Sequence, residues 1–274
     1  MPTISATIFR FDPSIDNEPR YVDYDVEWHE GLTVLEALRY IHEQYEPMAF
    51  DYSCRGQSCG LCAMKINGTP ALACGRIIAE GEDILVEPLD RFPVIRDVMV
   101  DKSTVLNRLM ADSPQFMRTS PMVNPEKMSP QATMYTAALQ MCRGCMLCES
   151  VCPAIEQSGF DGYAGPYVLT RLAQRYYDER EGQQDMRLAQ LVKEGLFNCL
   201  ECGTCTQVCP KGSLIAEEGY PYTFIDHVKY FSELKQIARD AGLEPQNSQP
   251  VRPITEDMYT TTEREDPLGN NARK

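Results

Sequence analysis

Apolar and polar positions alternate near the start of the chain, through Ile4, Thr7 and Phe9, and again over residues 21–26. A turn region bearing Pro and Asp separates the two stretches, so two strands are predicted. The period then lengthens. Thr33 and Glu36 form a capping-box pattern, and Leu35, Leu38 and Ile41 recur at helical spacing, which predicts an amphipathic helix to about Tyr45. Asn67-Gly68, set between residues 63–66 and 70–72, predicts a hairpin, because a type I′ turn needs positive φ at both central residues. Residues 84–87 read as a further strand. From about Asp101 the apolar spacing is helical, over residues 104–110, 134–141, 166–177, 187–196 and 222–241. The expected class is therefore α+β, with a mixed domain over 1–105, an all-α domain over 106–243 and an extended polar tail over 244–274.

Two stretches interrupt the pattern. Residues 113–129 carry three prolines and several methionines and read as an irregular connection over the surface. The tail is rich in Pro, Asn, Thr and Asp, holds no core of its own, and is expected to be ordered only against a larger surface such as a partner subunit.

Composition narrows the function. The 274 residues are 43% hydrophobic, enough for two cores, and the formal charge of −14 argues against nucleic acid, whose phosphates are bound by Lys and Arg. No secretion-type signal and no apolar run near the ~18 residues of a membrane span are seen, so a soluble chain in a reducing compartment is expected. In that setting cysteines bind metal or do redox work.

All twelve cysteines fall into three groups of four: Cys54, Cys59, Cys62 and Cys74; Cys142, Cys145, Cys148 and Cys152; Cys199, Cys202, Cys205 and Cys209. The first has the C-x4-C-x2-C spacing of plant-type [2Fe–2S] sites, its fourth thiolate lying beyond the hairpin. Gly56 and Gly60 are expected to give the loop positive φ and to bring backbone N–H groups to sulfur; Arg55 either offsets cluster charge or is simply solvated. The other groups each read C-x2-C-x2-C-x3-C-P, the two-cluster ferredoxin run, in which the fourth cysteine serves the other cluster. The expected sets are Cys142, Cys145, Cys148 with Cys209, and Cys199, Cys202, Cys205 with Cys152. Pro153 and Pro210 suit a chain leaving each loop for a new helix.

Alternatives explain less. A disulfide framework conflicts with the missing secretion signal, and structural zinc leaves the third cysteine and the trailing C-P superfluous. His29, His42 and His227 lie far from the cysteine groups in sequence and read as packing or surface residues, which removes a Rieske site. Gly159, Gly162 and Gly165 do not form a nucleotide fingerprint, no Walker sequence occurs, and the charge runs 178–181 and 263–266 read as solvated faces.

Residues 54–68, continued by Pro70 and Leu72-Ala73-Cys74, together with Pro93-Val94-Ile95-Arg96-Asp97 and Cys209-Pro210-Lys211-Gly212, resemble the succinate dehydrogenase/fumarate reductase iron–sulfur family over about residues 1 to 240. The resemblance implies a β-grasp plant-type ferredoxin domain followed by a helical bacterial-ferredoxin domain. It implies an electron-transfer subunit with no catalytic acid or base of its own. Its partners would be a flavoprotein whose FAD interconverts succinate and fumarate, and a quinone-binding membrane anchor, with or without haem b. The chain would then sit peripherally at the cytoplasmic side of the inner membrane. Many members lack a cysteine at the position of Cys202 and hold a [3Fe–4S] cluster on the counterparts of Cys152, Cys199 and Cys205. Here the full run favours [4Fe–4S], with [3Fe–4S] beside an unligated Cys202 left open. A fourth thiolate should lower the potential, and Pro153-Ala154-Ile155 lacks the tryptophan that many succinate-oxidising members carry, Trp28 being the only one present; both lean towards fumarate reduction. The same clusters could also serve a related flavoenzyme, such as a thiol-linked reductase, or a free-standing ferredoxin-like carrier.

Overall fold

A computed structural model describes residues 2–212 and 224–245. Its first half is a mixed sheet. Strand β1 (Thr3–Arg10) pairs antiparallel with β2 (Arg20–Glu27), from Thr3 opposite Glu27 to Arg10 opposite Arg20. The period-two pattern buries Ile4, Ala6 and Ile8 on one face of β1. Strands β3 (Ala63–Ile66) and β4 (Thr69–Leu72) form the predicted hairpin, with Asn67 at φ 47° and Gly68 at φ 78°. Strand β5 (Ile84–Glu87) runs parallel to β1 and antiparallel to β3, giving the order β2-β1-β5-β3-β4. Helix α1 (Val34–Gln44) buries Val34, Leu35, Ala37, Leu38 and Ile41 in the same core. Its capping box is complete: Glu36 N donates to Thr33 Oγ1 at 3.2 Å, and Thr33 N donates to the Glu36 carboxylate at 2.9 Å.

A small hairpin of β6 (Val94–Arg96) and β7 (Met99–Val100) was not foreseen, being too short to show a period. It delivers Asp97 into the core. One Asp97 oxygen accepts from Arg10 Nε at 3.0 Å and Phe11 N at 3.1 Å, the other from Ala49 N at 2.7 Å. Arg10 in turn donates to the Tyr24 hydroxyl and the Pro47 carbonyl, both at 2.7 Å. This buried pair joins the end of β1 to the segment that leads into the cysteine loop.

The second half is helical: α2 (Ser103–Ala111), α3 (Pro130–Gln140), α4 (Leu147–Ser150), α5 (Pro153–Gly162), α6 (Pro166–Tyr176), α7 (Gln184–Lys193), α8 (Thr204–Val208) and α9 (His227–Asp240). Ser129 caps α3 by accepting from Ala132 N at 3.2 Å, and Pro130 fills its first turn. Asp226 caps α9 from Lys229 N. The helix expected over 187–196 ends sooner. Gly195, at φ +89° and with room for no side chain beside the Gly162 carbonyl, turns the chain into a 3-10 segment, Leu196–Asn198. Pro153 does open α5, but Pro210 does not open a helix: Gly212 N closes a turn on the Cys209 carbonyl at 2.8 Å.

The acidic run at 178–181 is a correction. Asp178 and Glu181 are buried, because Asp178 pairs with Arg180 at 2.7 Å and Glu181 with the fully buried Arg187 at 3.3 Å. Arg187 also donates to the Ser113 carbonyl at 3.0 Å, Arg175 to that of Pro114 at 2.9 Å, and Glu179 accepts from Ser129 N at 2.7 Å. This region therefore anchors the irregular 113–129 connection. The 263–266 run, most of the tail and the start of the 222–241 pattern lie outside the described residues.

The halves share one core. Arg91 reaches from the sheet half to the carbonyls of Glu149 and Ser150 and pairs with Glu156 at 2.9 Å, while Phe92 meets Phe160 with ring centroids 5.6 Å apart. Asp97→Ala leaves Arg10 buried with its main counter-charge gone, so a loss of about 3–5 kcal/mol is expected. Urea unfolding of the full chain should show a lower midpoint at unchanged slope.

Candidate iron–sulfur centres

The first cysteine loop lies at the surface between α1 and β3. Cys54 is exposed, Cys59 half-buried and Cys62 buried. Backbone N–H groups converge on sulfur: Ser58 N and Cys59 N donate to Cys54 Sγ at 3.2 Å, Gly56 N to the same atom at 3.4 Å, and Gln57 N to Cys74 Sγ at 3.3 Å. These donors, that of Gly56 foremost, pull the Cys54 thiol down to about 6. Cys62 is pushed up to about 12 by burial. The positive φ expected of Gly56 falls instead on its neighbours, Arg55 and Gln57, both at φ 55°, with Gly60 at φ 74°. The left-handed residues aim successive N–H groups to one side, and local side-chain chemistry does not reveal which residues do so. Arg55 lies over the Tyr52 ring, its guanidinium carbon 5.7 Å from the centroid.

The second and third groups do not stay separate. One cavity is lined by Cys142, Cys145, Cys148 and Cys209, the other by Cys152, Cys199, Cys202 and Cys205. The fourth cysteine of each run thus faces the cavity of the other. The two runs also share a backbone conformation: Gly144 (φ 64°) and Met146 (φ 65°) correspond to Glu201 (φ 55°) and Gly203 (φ 80°). Each pair curls the loop, after which α4 or α8 begins. In both runs, and at Cys54, the sulfur takes the N–H of the residue two ahead: Gly144 for Cys142, Leu147 for Cys145, Ala154 for Cys152, Glu201 for Cys199 and Lys211 for Cys209.

Burial raises these thiols, Cys145 and Cys152 to about 12 and Cys209 to about 11. Thiols in apolar cavities, several of them with an N–H donor already aimed at sulfur, suit iron, which replaces the protons and leaves those thiolates hydrogen-bonded. Four sulfurs around a cavity fit a multi-iron core. Cys202 Sγ lies 2.8 Å from Thr204 Oγ1.

Sequence reading missed several neighbours of these cavities. Lys102, half-buried, approaches the Cys145 carbonyl with its ammonium at 3.5 Å. Lys235 donates to the Cys199 carbonyl and to Glu201, each at 2.6 Å. Both are far in sequence from the cysteines they approach. His227, expected as packing or surface, is buried against the cavity of Cys142 and held neutral, its pKa driven to about 4 by burial. Glu149, fully buried, is raised to about 8 by desolvation. Tyr163 lines the cavity of Cys199.

The arrangement defines an iron–sulfur protein with one ferredoxin-like loop on a mixed sheet and two cysteine cavities in a helical half. Comparison agrees: a 2Fe-2S iron-sulfur cluster binding domain matches residues 5–107, and a 4Fe-4S dicluster domain matches 138–213. The fumarate reductase iron-sulfur subunit of Haemophilus influenzae is 32% identical over 228 residues, covering 77% of this chain and 88% of that protein. That of Mycobacterium tuberculosis is 34% identical over 220 residues, with the same coverage. The chain belongs to the family of fumarate reductase iron–sulfur subunits. A fumarate reductase (CoM/CoB) polypeptide of Methanothermobacter marburgensis is 36% identical over 209 residues, 76% of this chain. The chain spans only about two fifths of that protein's length, 41%. The fold is shared with a chain of the Mycobacterium smegmatis Sdh1 complex in the apo form, at TM-score 0.74 and 24% identity, covering 90% of this chain and 99% of that one.

Gly60 joins the first loop to the next centre. A Cβ there would stand 2.9 Å from Cys145 Cβ and 3.0 Å from the Arg143 carbonyl. Gly60→Ala therefore meets both a left-handed φ and a clash, and is expected to cost about 1–3 kcal/mol. Urea unfolding followed by visible cluster absorbance checks this against Gly68→Ala, which has the same φ cost and open space.

Proposed function

We propose that this chain is the electron-transfer subunit of a succinate:quinone oxidoreductase or quinol:fumarate reductase, working between an FAD-containing flavoprotein and membrane quinone. In this reading Cys54, Cys59, Cys62 and Cys74 hold [2Fe–2S], and Cys142, Cys145, Cys148 and Cys209 hold [4Fe–4S]. Cys152, Cys199 and Cys205, with Cys202 as fourth ligand, hold a third cluster of [4Fe–4S] type. The observation that carries the proposal is the crossed lining of the two cavities by four cysteines each. Bound clusters supply one-electron redox centres. The chain's own residues hold them, exclude water and tune them: N–H groups donate to sulfur, and Lys102 and Lys235 place positive charge nearby. No acid–base chemistry is assigned to this chain.

The same reading divides the chain near residue 105, supported by the end of β7 at Val100 and the start of α2 at Ser103. Among the described residues no helix is long and apolar enough to cross a membrane. Attachment at the cytoplasmic side of the inner membrane is accordingly proposed to run through partner subunits, including a quinone-binding anchor. A second reading, in which the same centres serve a thiol-linked reductase, is favoured by the similarity to the CoM/CoB fumarate reductase polypeptide.

EPR of the natively purified complex tests the dicarboxylate chemistry, and the donor separates the two readings. Clusters reduced and then exposed to fumarate should reoxidise, and oxidised clusters given succinate should reduce; in the first reading a quinol, and in the second a thiol pair, should rereduce them. If neither dicarboxylate changes the signals while dithionite reduces all three clusters, the first reading fails and the flavoprotein partner serves another substrate. Ligand exchange has a sharper signature: Cys209→Ser should remove or convert the cluster of Cys142, and Cys152→Ser that of Cys199, each leaving the other signal intact. Cys202→Ser should convert the third cluster to a three-iron form, with its EPR signal in the oxidised state.

A further inference from the structure

Tyr163 is fully buried, and among the described residues its hydroxyl has no hydrogen-bond partner. It stands in the wall of the cavity lined by Cys152, Cys199, Cys202 and Cys205. The chain is constrained on both sides of it: Ala164 N donates to the Glu194 carbonyl at 3.0 Å, and Gly195 packs against the Tyr163 ring with a Cβ position only 3.1 Å away. Leaving a buried hydroxyl unpaired costs about 1–3 kcal/mol, and phenylalanine would fill the same space without that cost. A tyrosine in this position implies an acceptor that arrives with the cavity's occupant.

We propose that the Tyr163 hydroxyl donates a hydrogen bond to a sulfur of the third cluster and thereby raises that cluster's reduction potential. This rests on the assignment of a cluster to the cavity. A donor to sulfur stabilises the more negative, reduced state over the oxidised one, which is the direction of the effect. A phenol titrates at about pH 10, so at neutral pH the hydroxyl keeps its proton and is a donor. The fourth thiolate of this set lowers the potential; Tyr163 acts against it.

The test is a redox titration of the natively purified complex, monitored by EPR, with Tyr163→Phe. At the potential where the native third cluster is half reduced, the ratio of reduced to oxidised cluster should fall about three- to tenfold, the equivalent of one net hydrogen bond. The other two clusters should keep their native ratios. In the native protein, exchange into D2O should add a deuteron coupling to the third cluster's signal that is missing in the variant. Replacing Tyr163 by difluorotyrosine keeps the ring's shape and strengthens the O–H as donor, so the ratio should rise. That arm decides the matter even if Tyr163→Phe assembles poorly. An unchanged ratio in either substituted protein with three clusters bound, or a set of deuteron couplings identical in the native protein and Tyr163→Phe, overturns the proposal while leaving the cluster assignment standing. Iron and sulfide sufficient for only two clusters in the native complex would overturn both.

Discussion

Each of the two C-P runs ends on a cysteine that faces the other run's cavity, and the helical half is built around that exchange. Cys152 and Cys209 each sit at the end of a short helix and reach across, so neither cavity can be completed by its own loop. Two loops about fifty residues apart in sequence are thereby held side by side, with α4 against α8. Metal binding at sites of this kind is folding free energy, because the ligands of one centre come together only in the folded chain. Helices α6, α7 and α9 then pack Leu169, Leu172, Leu188, Leu191, Phe231 and Leu234 as a common core beside the cavities.

The same constraint explains the backbone. A loop of seven residues that presents three sulfurs inwards must reverse direction within single residues, and it does so at left-handed positions. The two runs solve this identically but place glycine differently, at the first such position in one and the second in the other. The remaining positions, Met146 and Glu201, carry side chains with other work: Met146 is buried in the core and Glu201 pairs with Lys235. Their strain is offset by those contacts and by the N–H groups that the turns aim at sulfur.

Electrostatics follow from burial. A chain with a formal charge of −14 places two lysines, Lys102 and Lys235, beside the cysteine loops of its interior. Thiolates and iron–sulfur cores are anionic, so ammonium groups withdrawn from water there, Lys102 in part and Lys235 almost wholly, would be compensated, whereas elsewhere in the core they would be costly. Close approach between centres is a matter of volume: at Gly60 the first loop touches Cys145 with no room for a methyl group.

The sequence alone determined the α+β class, the five strands of the main sheet, the capped helix and the Asn67-Gly68 hairpin, because each depends on periods and turn residues that are local. It also determined three groups of four cysteines, since ligand spacing is a local record of loop size. Only the tertiary structure decided which N–H groups meet which sulfur, why Asp97 stands in a short hairpin that no period reveals, and that Asp178 and Glu181 are buried anchors. Their partners, Arg10 for Asp97 and Arg187 for Glu181, lie at separations that spacing does not encode. Lys102, Lys235 and Tyr163 were illegible for the same reason. A lysine or a tyrosine in a helical stretch is ordinary until folding removes the water around it and leaves a buried charge or hydroxyl beside sulfur.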